Sequence, residues 1–193
     1  GKKTGIELPS ESAGTLASKE AKAKYTKASW QGGETLSAAI GQSYNSFTPL
    51  QIAKYIATLV NGGEEVNPTI IKTIMNADGT EETKEKIEKY SKENLAAILE
   101  GMRSVTSETG GTAYSVFRNF HIEIGGKTGS AQAGDDVNAW FTGFAPFENP
   151  EVVVVAMVEK GSHGSYTAEI ARDILAEYFG INSQNVEEST NAV

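Results

Sequence analysis

A lysine flanked by small and hydroxyl-bearing residues has the clearest potential for chemistry in this chain. Residues 125–132 read Gly-Gly-Lys-Thr-Gly-Ser-Ala-Gln and follow a short segment in which apolar and polar side chains alternate. Such alternation predicts a strand, and in a strand every second side chain lies on the same face. Lys127 therefore shares one face with Gly129. The hydroxyls of Thr128 and Ser130 share the other.

Gly129 has no Cβ atom, so a ligand can lie against the backbone of this strand without a steric clash. The charge of Lys127 would attract a negative group on that ligand. An exposed edge strand can add an extended peptide through main-chain hydrogen bonds. The pattern thus favours the capture of an anionic, peptide-like substrate along an edge strand.

Three interpretations of these residues compete. A glycine-rich turn between strands is the simplest, since Lys-Thr-Gly alone is a short pattern. A phosphate-binding loop also ends in Gly-Lys-Thr, but its first glycine would fall on His121, and the residues after Thr128 do not begin a helix. The third is the Lys-Thr-Gly element of penicillin-interacting serine enzymes, which requires further motifs elsewhere in the chain.

Four further motifs supply that support. Residues 41–51 read Gly-Gln-Ser-Tyr-Asn-Ser-Phe-Thr-Pro-Leu-Gln. They closely resemble the Gly-Gln-Gly-x-x-x-x-Thr-Pro-Leu-Gln stretch of class B penicillin-binding proteins, the D,D-transpeptidases of cell-wall synthesis. The same family is matched in order and spacing by residues 4–11, 111–113 and 139–146. The chain departs at Ser43, where the family usually has glycine, and at Ser130, where threonine is commoner.

The family's chemistry also requires a Ser-x-x-Lys that supplies the nucleophile and a Ser-x-Asn that assists proton transfer. No serine of this chain has a lysine three residues further on. Ser-x-Asn occurs at residues 43–45, inside a different motif, and at residues 183–185, in a polar stretch; we interpret neither as that element. In the family both elements precede the segment that begins here. Residues 1–180 are therefore interpreted as the C-terminal portion of a transpeptidase domain, and we expect it to be inactive alone.

The resemblance implies a role for each residue of the Lys-Thr-Gly run. Lys127 resembles the lysine that keeps the site electropositive. Thr128 and Ser130 resemble the hydroxyls that bind the carboxylate of a terminal D-alanine or of a β-lactam, with Gly129 between them in the substrate-binding strand. The backbone N–H of Ser130 resembles one of two oxyanion-hole donors, and the other belongs to the absent nucleophile. Gln132 is a candidate contact for the substrate peptide.

For the complete enzyme, the resemblance implies cross-linking of peptidoglycan by acyl transfer from D-Ala-D-Ala stem peptides through a serine ester. It implies stem peptides or β-lactams as ligands, and the missing N-terminal half of the domain and other cell-wall synthesis proteins as partners. It also implies a location on the extracytoplasmic face of the bacterial cell membrane, with the anchor outside this chain. The alternatives are a penicillin-recognising sensor or β-lactamase-like protein, and a non-catalytic module of the division or elongation machinery.

Composition argues against several classes of function. The net charge is −8 without a basic patch, which argues against nucleic acid as a partner. The chain has no cysteine, and its histidines and carboxylates show no metal-ligand spacing, so no metal or cofactor is predicted. His121 and His163 are interpreted as loop residues, although the family's equivalent of His163 borders the cleft. The longest apolar run, residues 152–158, is far shorter than the roughly 20 residues of a membrane-spanning helix.

Three helices are predicted around the lysine strand. The first begins at Thr48-Pro49 and ends at Gly62-Gly63, with one face formed by Leu50, Ala53, Ala57 and Val60. The second runs from Ser91 to about Val105 and buries Leu95, Ile98, Leu99 and Met102. The last is capped by Thr167 and ended by Gly180, with inward-facing Ile170, Ile174 and Tyr178.

Strands are predicted at residues 67–75, 139–144 and 152–160. The first leads to a turn at residues 78–79 and a solvated charged stretch at 81–90, and residues 104–113 read as a loop. The apolar run within the last strand predicts a central strand covered on both faces. The fold class is therefore α+β, a mainly antiparallel sheet with flanking helices. The resemblance makes it a partial penicillin-binding transpeptidase fold of the serine β-lactamase-like type, followed by a polar tail at 181–193 that is expected to be disordered.

Overall fold

The computed structural model describes residues 1–72 and 92–181. Its strands form one antiparallel sheet in the order β1-β2-β3, with β1 at Gly125–Ala133, β2 at Asp136–Ala145 and β3 at Val152–Val158. The helices of this part of the chain are α1 Lys19–Ala23, α2 Gly32–Ala39, α3 Pro49–Val60, α4 Lys92–Ser107, α5 Tyr114–Phe117 and α6 Gly164–Tyr178. The predicted antiparallel sheet with flanking helices is confirmed.

Helices cover both faces of the sheet, and alternation along β2 places one buried aromatic residue on each. Phe141 is fully buried on the face toward α6, where it packs in a cluster with Ala171 and Leu175. Phe144 is fully buried on the opposite face, in a cluster with Leu59 of α3 and Met102 of α4. Burial of a side chain of this size contributes about 1.5–3 kcal/mol, so this pair holds the sheet between its two helical layers.

The first two residues of β1 are glycines because the strand passes directly over the rings of Phe144 and Phe141. A Cβ atom at Gly125 would lie 2.3 Å from the Phe144 ring, and one at Gly126 would lie 2.6 Å from the Phe141 ring. Thr106 of α4 also donates a hydrogen bond to the carbonyl of Ile124, just before the strand. The backbone is thus fixed against β2 and α4 immediately before Lys127.

Helix α3 begins as predicted but buries a different face. Thr48 Oγ1 accepts a hydrogen bond from the N–H of Gln51 at 3.2 Å, and Gln51 Oε1 accepts one from the N–H of Thr48 at 2.9 Å. The best-buried apolar side chains are Ile56 and Leu59, since these longer side chains fill the space beneath the sheet. Of the predicted face of Leu50, Ala53, Ala57 and Val60, only Val60 packs against this core.

Helix α6 corrects the prediction more strongly. It begins at Gly164, and Thr167 is not its cap but lies fully buried in its first turn, donating to the carbonyl of Gly164 at 2.7 Å. The side chains predicted to face inward are 45–55% exposed: Ile170, Ile174 and Tyr178. The buried face instead consists of small residues around Leu175, which let the helix approach the sheet closely. Gly180 follows the helix with a φ of 65°, which confirms the predicted end.

Both strands predicted after the lysine run are confirmed, but β3 is not central. Within residues 1–72 and 92–181, β3 pairs only with β2, so β2 is the central strand. Both faces of β3 are nevertheless covered, since Val154 packs toward α6 and Val153 toward α3. This coverage explains the uninterrupted apolar run.

The remaining predictions of helices and strands are only partly confirmed. Helix α4 extends through Ser107 and therefore includes part of the predicted loop at 104–113. It buries Leu95 and Met102 as predicted, whereas Ile98 is exposed because it lies on the outer face. Residues 67–72 do not form a strand, contrary to prediction. The predictions for Ser91, for residues 73–90 and for the tail from residue 182 lie outside the described residues.

Candidate functional site

Strand β1 forms an edge of the sheet, and a cleft runs along it. In the described part of the chain β1 pairs with β2 alone. On the face toward α3 the cleft has a volume of about 540 Å³. One wall is formed by the sheet through Lys127, Gly129, Trp140 and Thr142, and the opposite wall by residues 40–52. An open groove therefore runs beside the lysine strand, as the predicted capture of a substrate along that strand requires.

Alternation separates the polar side chains of β1 as predicted. Lys127 lies opposite Thr142 across the sheet and Thr128 lies opposite Phe141, so Lys127 and Thr128 point to different faces. Lys127 is exposed, and its Nζ donates to the carbonyl of Thr128 at 2.6 Å. The ammonium group therefore lies at the outer edge of the strand. Beneath it, Thr142 Oγ1 is buried without a hydrogen-bond partner among the described residues.

Thr128 and Ser130 line a second, smaller cleft on the α6 side of the strand. It has a volume of about 340 Å³ and is also lined by Thr112, His163 and Ser165. The first turn of α6 presses against β1 here, because a Cβ atom at Gly164 would lie 2.6 Å from the carbonyl oxygen of Gly129. The positive end of the α6 dipole thus lies beside two hydroxyl side chains, a setting that favours an anionic group.

The backbone N–H and C=O of Ser130 point away from β2, toward the open side of the strand. From the opposite wall, Gln42 Nε2 donates to the carbonyl of Ser130 at 3.3 Å. In an antiparallel strand the N–H and C=O of one residue point to the same side. The N–H of Ser130 therefore also faces outward, which is the orientation that an oxyanion donor requires.

The predicted site residues lie together because they are consecutive in one strand. Gln132, toward the far end of β1, is exposed and lines the larger cleft, with its Nε2 3.4 Å from the carbonyl of Gly134. Gln42 and Thr112 were not predicted to reach the site, yet Thr112 Oγ1 lies 2.8 Å from Thr128 Oγ1. Both belong to recognised motifs, but a motif does not reveal which of its side chains contacts a distant strand.

The two histidines and Trp30 contribute less to this site. His163 borders the smaller cleft, whereas His121 lies in a separate depression lined by the end of α4, by α5 and by residues 118–124. Trp30 donates its indole N–H to Thr35 and packs near Tyr44. Within residues 1–72 and 92–181, no group of three or more histidines and carboxylates could hold a metal, and no helix has the length and apolar character to cross a bilayer.

Comparison with known sequences gives a consistent result. A profile of the penicillin binding protein transpeptidase domain matches residues 1–176. Peptidoglycan D,D-transpeptidase MrdA of Haemophilus influenzae is 32% identical over 97% of this chain and 32% of its own length. MrdA of Acinetobacter baumannii is 34% identical over 90% of this chain and 28% of its own length. The chain thus spans about a third of the length of these relatives.

Solved structures show the same likeness in three dimensions. Penicillin-binding protein PBP2 from Helicobacter pylori superposes with a TM-score of 0.79 at 30% identity, over 95% of this chain and 34% of that one. Pseudomonas aeruginosa PBP2, solved in complex with WCK 5153, gives a TM-score of 0.80 at 33% identity, over 93% of this chain and 39% of that one.

Proposed function

Because the chain belongs to the penicillin-binding protein transpeptidase domain family, we propose that the complete protein containing it cross-links peptidoglycan by acyl transfer from D-Ala-D-Ala stem peptides. The predicted family is confirmed, and so is the predicted fold, since its structural neighbours are penicillin-binding transpeptidases of the serine β-lactamase-like fold. We assign residues 1–180 to this domain. The activity, the substrate and the partners are assigned to the longer protein.

The observation that carries this proposal is the open edge of β1 between its two clefts. A stem peptide can lie along β1 as an additional strand, with its backbone hydrogen-bonded to the outward-facing groups of Ser130. Its terminal carboxylate then lies between the hydroxyls of Thr128 and Ser130 near the N-terminus of α6. Lys127 supplies positive charge on the other face of the strand.

The reaction follows from this placement and from a serine outside the chain. The serine oxygen attacks the carbonyl carbon of the penultimate D-alanine, and the N–H of Ser130 donates to the oxygen that becomes negative. The bond to the terminal D-alanine breaks, this residue leaves with the proton, and a serine ester remains. An amine of a second stem peptide then attacks the ester, which forms the new amide and returns the proton to the serine.

The structure also supports completion of this domain by another part of the protein. The outer edge of β3 pairs with none of the described residues, although both of its faces are covered. Leu36 and Ile40, near the larger cleft, are 72% and 78% exposed. We assign both surfaces to contact with the N-terminal half of the domain, which would bring the nucleophile.

Location and partners follow from the family. We assign the protein to the extracytoplasmic face of the cell membrane, where peptidoglycan is assembled. Helicobacter pylori PBP2, which is 31% identical to this chain, has been solved in complex with MreC. A contact of this protein with cell-wall synthesis proteins is proposed on that ground.

Labelling of the complete protein with a fluorescent penicillin tests the proposal. A long-lived covalent adduct at a serine outside this chain, together with transfer of a donor peptide to an added amine, is the expected result. Rapid hydrolytic release of the adduct would instead indicate a sensor or hydrolase. A folded protein that forms no adduct would indicate a non-catalytic module. Residues 1–193 expressed alone should remain unlabelled by intact mass.

A further inference from the structure

The side chain of Thr112 meets that of Thr128 at the edge of the smaller cleft. Their Oγ1 atoms are 2.8 Å apart, which is the distance of a good hydrogen bond between hydroxyls. Thr112 belongs to the loop between α4 and α5, whereas Thr128 lies on β1. The contact therefore connects the proposed carboxylate-binding strand to a separate element of the fold.

The loop holds Thr112 firmly because both neighbouring residues are anchored to the end of α4. A Cβ atom at Gly111 would lie 2.4 Å from the carbonyl oxygen of Val105, so this backbone is tightly packed against the helix. The N–H of Ala113 donates to the same carbonyl at 3.1 Å, and the Ala113 side chain is fully buried. Thr112 is thus fixed from both sides, and its hydroxyl is a pre-positioned partner.

The polarity of the pair follows from the ligand that Thr128 would bind. A carboxylate only accepts hydrogen bonds, so the Thr128 hydroxyl must donate its single proton to it. The hydrogen bond between the two threonines must then run from Thr112 to Thr128. In this arrangement each hydrogen bond polarises the next, which strengthens the bond to the carboxylate.

We propose that Thr112 is a positioning residue that directs the Thr128 hydroxyl toward the carboxylate of the stem peptide or β-lactam. This inference rests on the proposed function, because it takes Thr128 to be a carboxylate contact. Thr112 acts through Thr128, so its contribution should disappear when the Thr128 hydroxyl is absent.

The test uses the complete protein and two forms of one β-lactam, the free carboxylate and its methyl ester. The measured quantity is the preference, which is the ratio of the two second-order acylation rate constants. Thr112→Val keeps the shape but removes the hydroxyl, and we expect it to lower the preference about tenfold. Thr112→Ser should restore most of it. The reaction with the ester and the melting temperature should change little in either variant.

A double-mutant cycle separates this inference from the proposed function. In a Thr128→Val background, Thr112→Val should have no further effect on the preference. If both single changes lower the preference and the double change lowers it by their product, Thr112 contacts the ligand independently and the inference is wrong. An unchanged preference in Thr112→Val also overturns it. If wild-type protein is not acylated, or Thr128→Val leaves the preference unchanged, the proposed function or its carboxylate assignment fails instead.

Discussion

The two walls of the cleft beside β1 are held by different interactions. The sheet wall rests on apolar packing, with Phe141, Phe144 and Leu175 fully buried beneath it. The opposite wall is continuous with residues 1–48, which we name the front segment. None of the residues of α2, in the middle of this segment, is buried. The sheet is thus a fixed surface, whereas the front segment depends on polar contacts.

Amide side chains supply many of these polar contacts. Gln51 Nε2 donates to the carbonyls of Lys2 at 2.7 Å and Ala13 at 2.8 Å. Asn45 likewise bonds to two backbone groups of the front segment, at 2.8 and 2.9 Å. A hydrogen bond of this kind contributes about 0.5–1.5 kcal/mol, which is less than the loss caused by truncating a buried aromatic residue.

This difference has a functional meaning for the proposed site. A peptide that adds to β1 would compete with Gln42 for the carbonyl of Ser130, since both would donate to the same oxygen. The strand that would bind the substrate is fixed by the core, so the front segment is the wall that yields. The sheet wall therefore holds the substrate-binding groups in a fixed geometry, and the front segment on the other side of the cleft adapts to the ligand.

Truncation of the sheet core should have the largest effect. Phe141→Ala removes a fully buried ring and should reduce the free energy of unfolding by about 3–5 kcal/mol. Urea denaturation followed by Trp140 fluorescence measures this change. Tyr166→Ala provides the matched control, since Tyr166 is 64% exposed and should contribute little. Equal losses in both variants would contradict the assignment of stability to the sheet core.

Removal of Lys127 should slow the reaction without lowering the stability of the protein, although Lys127 lies in the same sheet wall as Phe141. Lys127→Ala in the complete protein should slow acylation by a β-lactam on the order of 10²–10³-fold, a loss typical of one electrostatic group in an active site. The melting temperature should stay nearly constant because Lys127 is exposed. Lys160→Ala, which removes another exposed lysine, is the control. Unchanged acylation kinetics would remove Lys127 from the site.

Disruption of the front segment should leave the sheet intact. Gln51→Leu deprives the Lys2 and Ala13 carbonyls of their donor, at a cost of about 1–3 kcal/mol. Hydrogen exchange followed by mass spectrometry should show faster exchange in residues 1–48 and none of this acceleration in β2. Gln132→Leu applies the same substitution to an exposed glutamine of β1. Faster exchange across both regions would mean that the two walls unfold together.

Mild acid should give the smallest and most local effect. A hydrogen bond from Lys22 and a second from the N–H of Gln31 lower the pKa of Glu34. A carboxyl whose pKa is lower in the folded state stabilises that state above its unfolded pKa, and this contribution is lost as the pH falls through the folded value. Trp30 fluorescence in a Trp140→Phe variant should therefore change below about pH 4 before the sheet unfolds. Glu34→Gln should abolish this early change, and its persistence would exclude Glu34 as the cause.

The same contrast explains how much of the fold could be predicted. Apolar runs and cap residues are local signals, so β2, β3 and the start of α3 at Thr48 follow from the sequence. The buried face of α6 does not, because Ala171 on the inside and Ile174 on the outside are both apolar, and only the size that fits against the sheet distinguishes them. The front segment resembled its family in motif, but its polar contacts join residues far apart in the chain.

The features of the site also fall into those that local sequence predicts and those that it does not. The opposite orientation of Lys127 and Thr128 follows from strand alternation, a property of neighbouring residues. The contacts of Gln42 with Ser130 and of Thr112 with Thr128 join different elements, so no local pattern contains them.

The outer edge of β3, which pairs with none of the described residues, has a practical consequence for anyone who prepares this chain by itself. Its sequence, Val-Val-Val-Val-Ala-Met-Val, combines high β-propensity with the absence of charge and proline. An unprotected edge of this kind is a template on which a neighbouring molecule can stack. Glu151 and Glu159 flank it as charged gatekeepers, and further lysines on the same edge would be the first substitutions to try for a soluble, non-aggregating preparation.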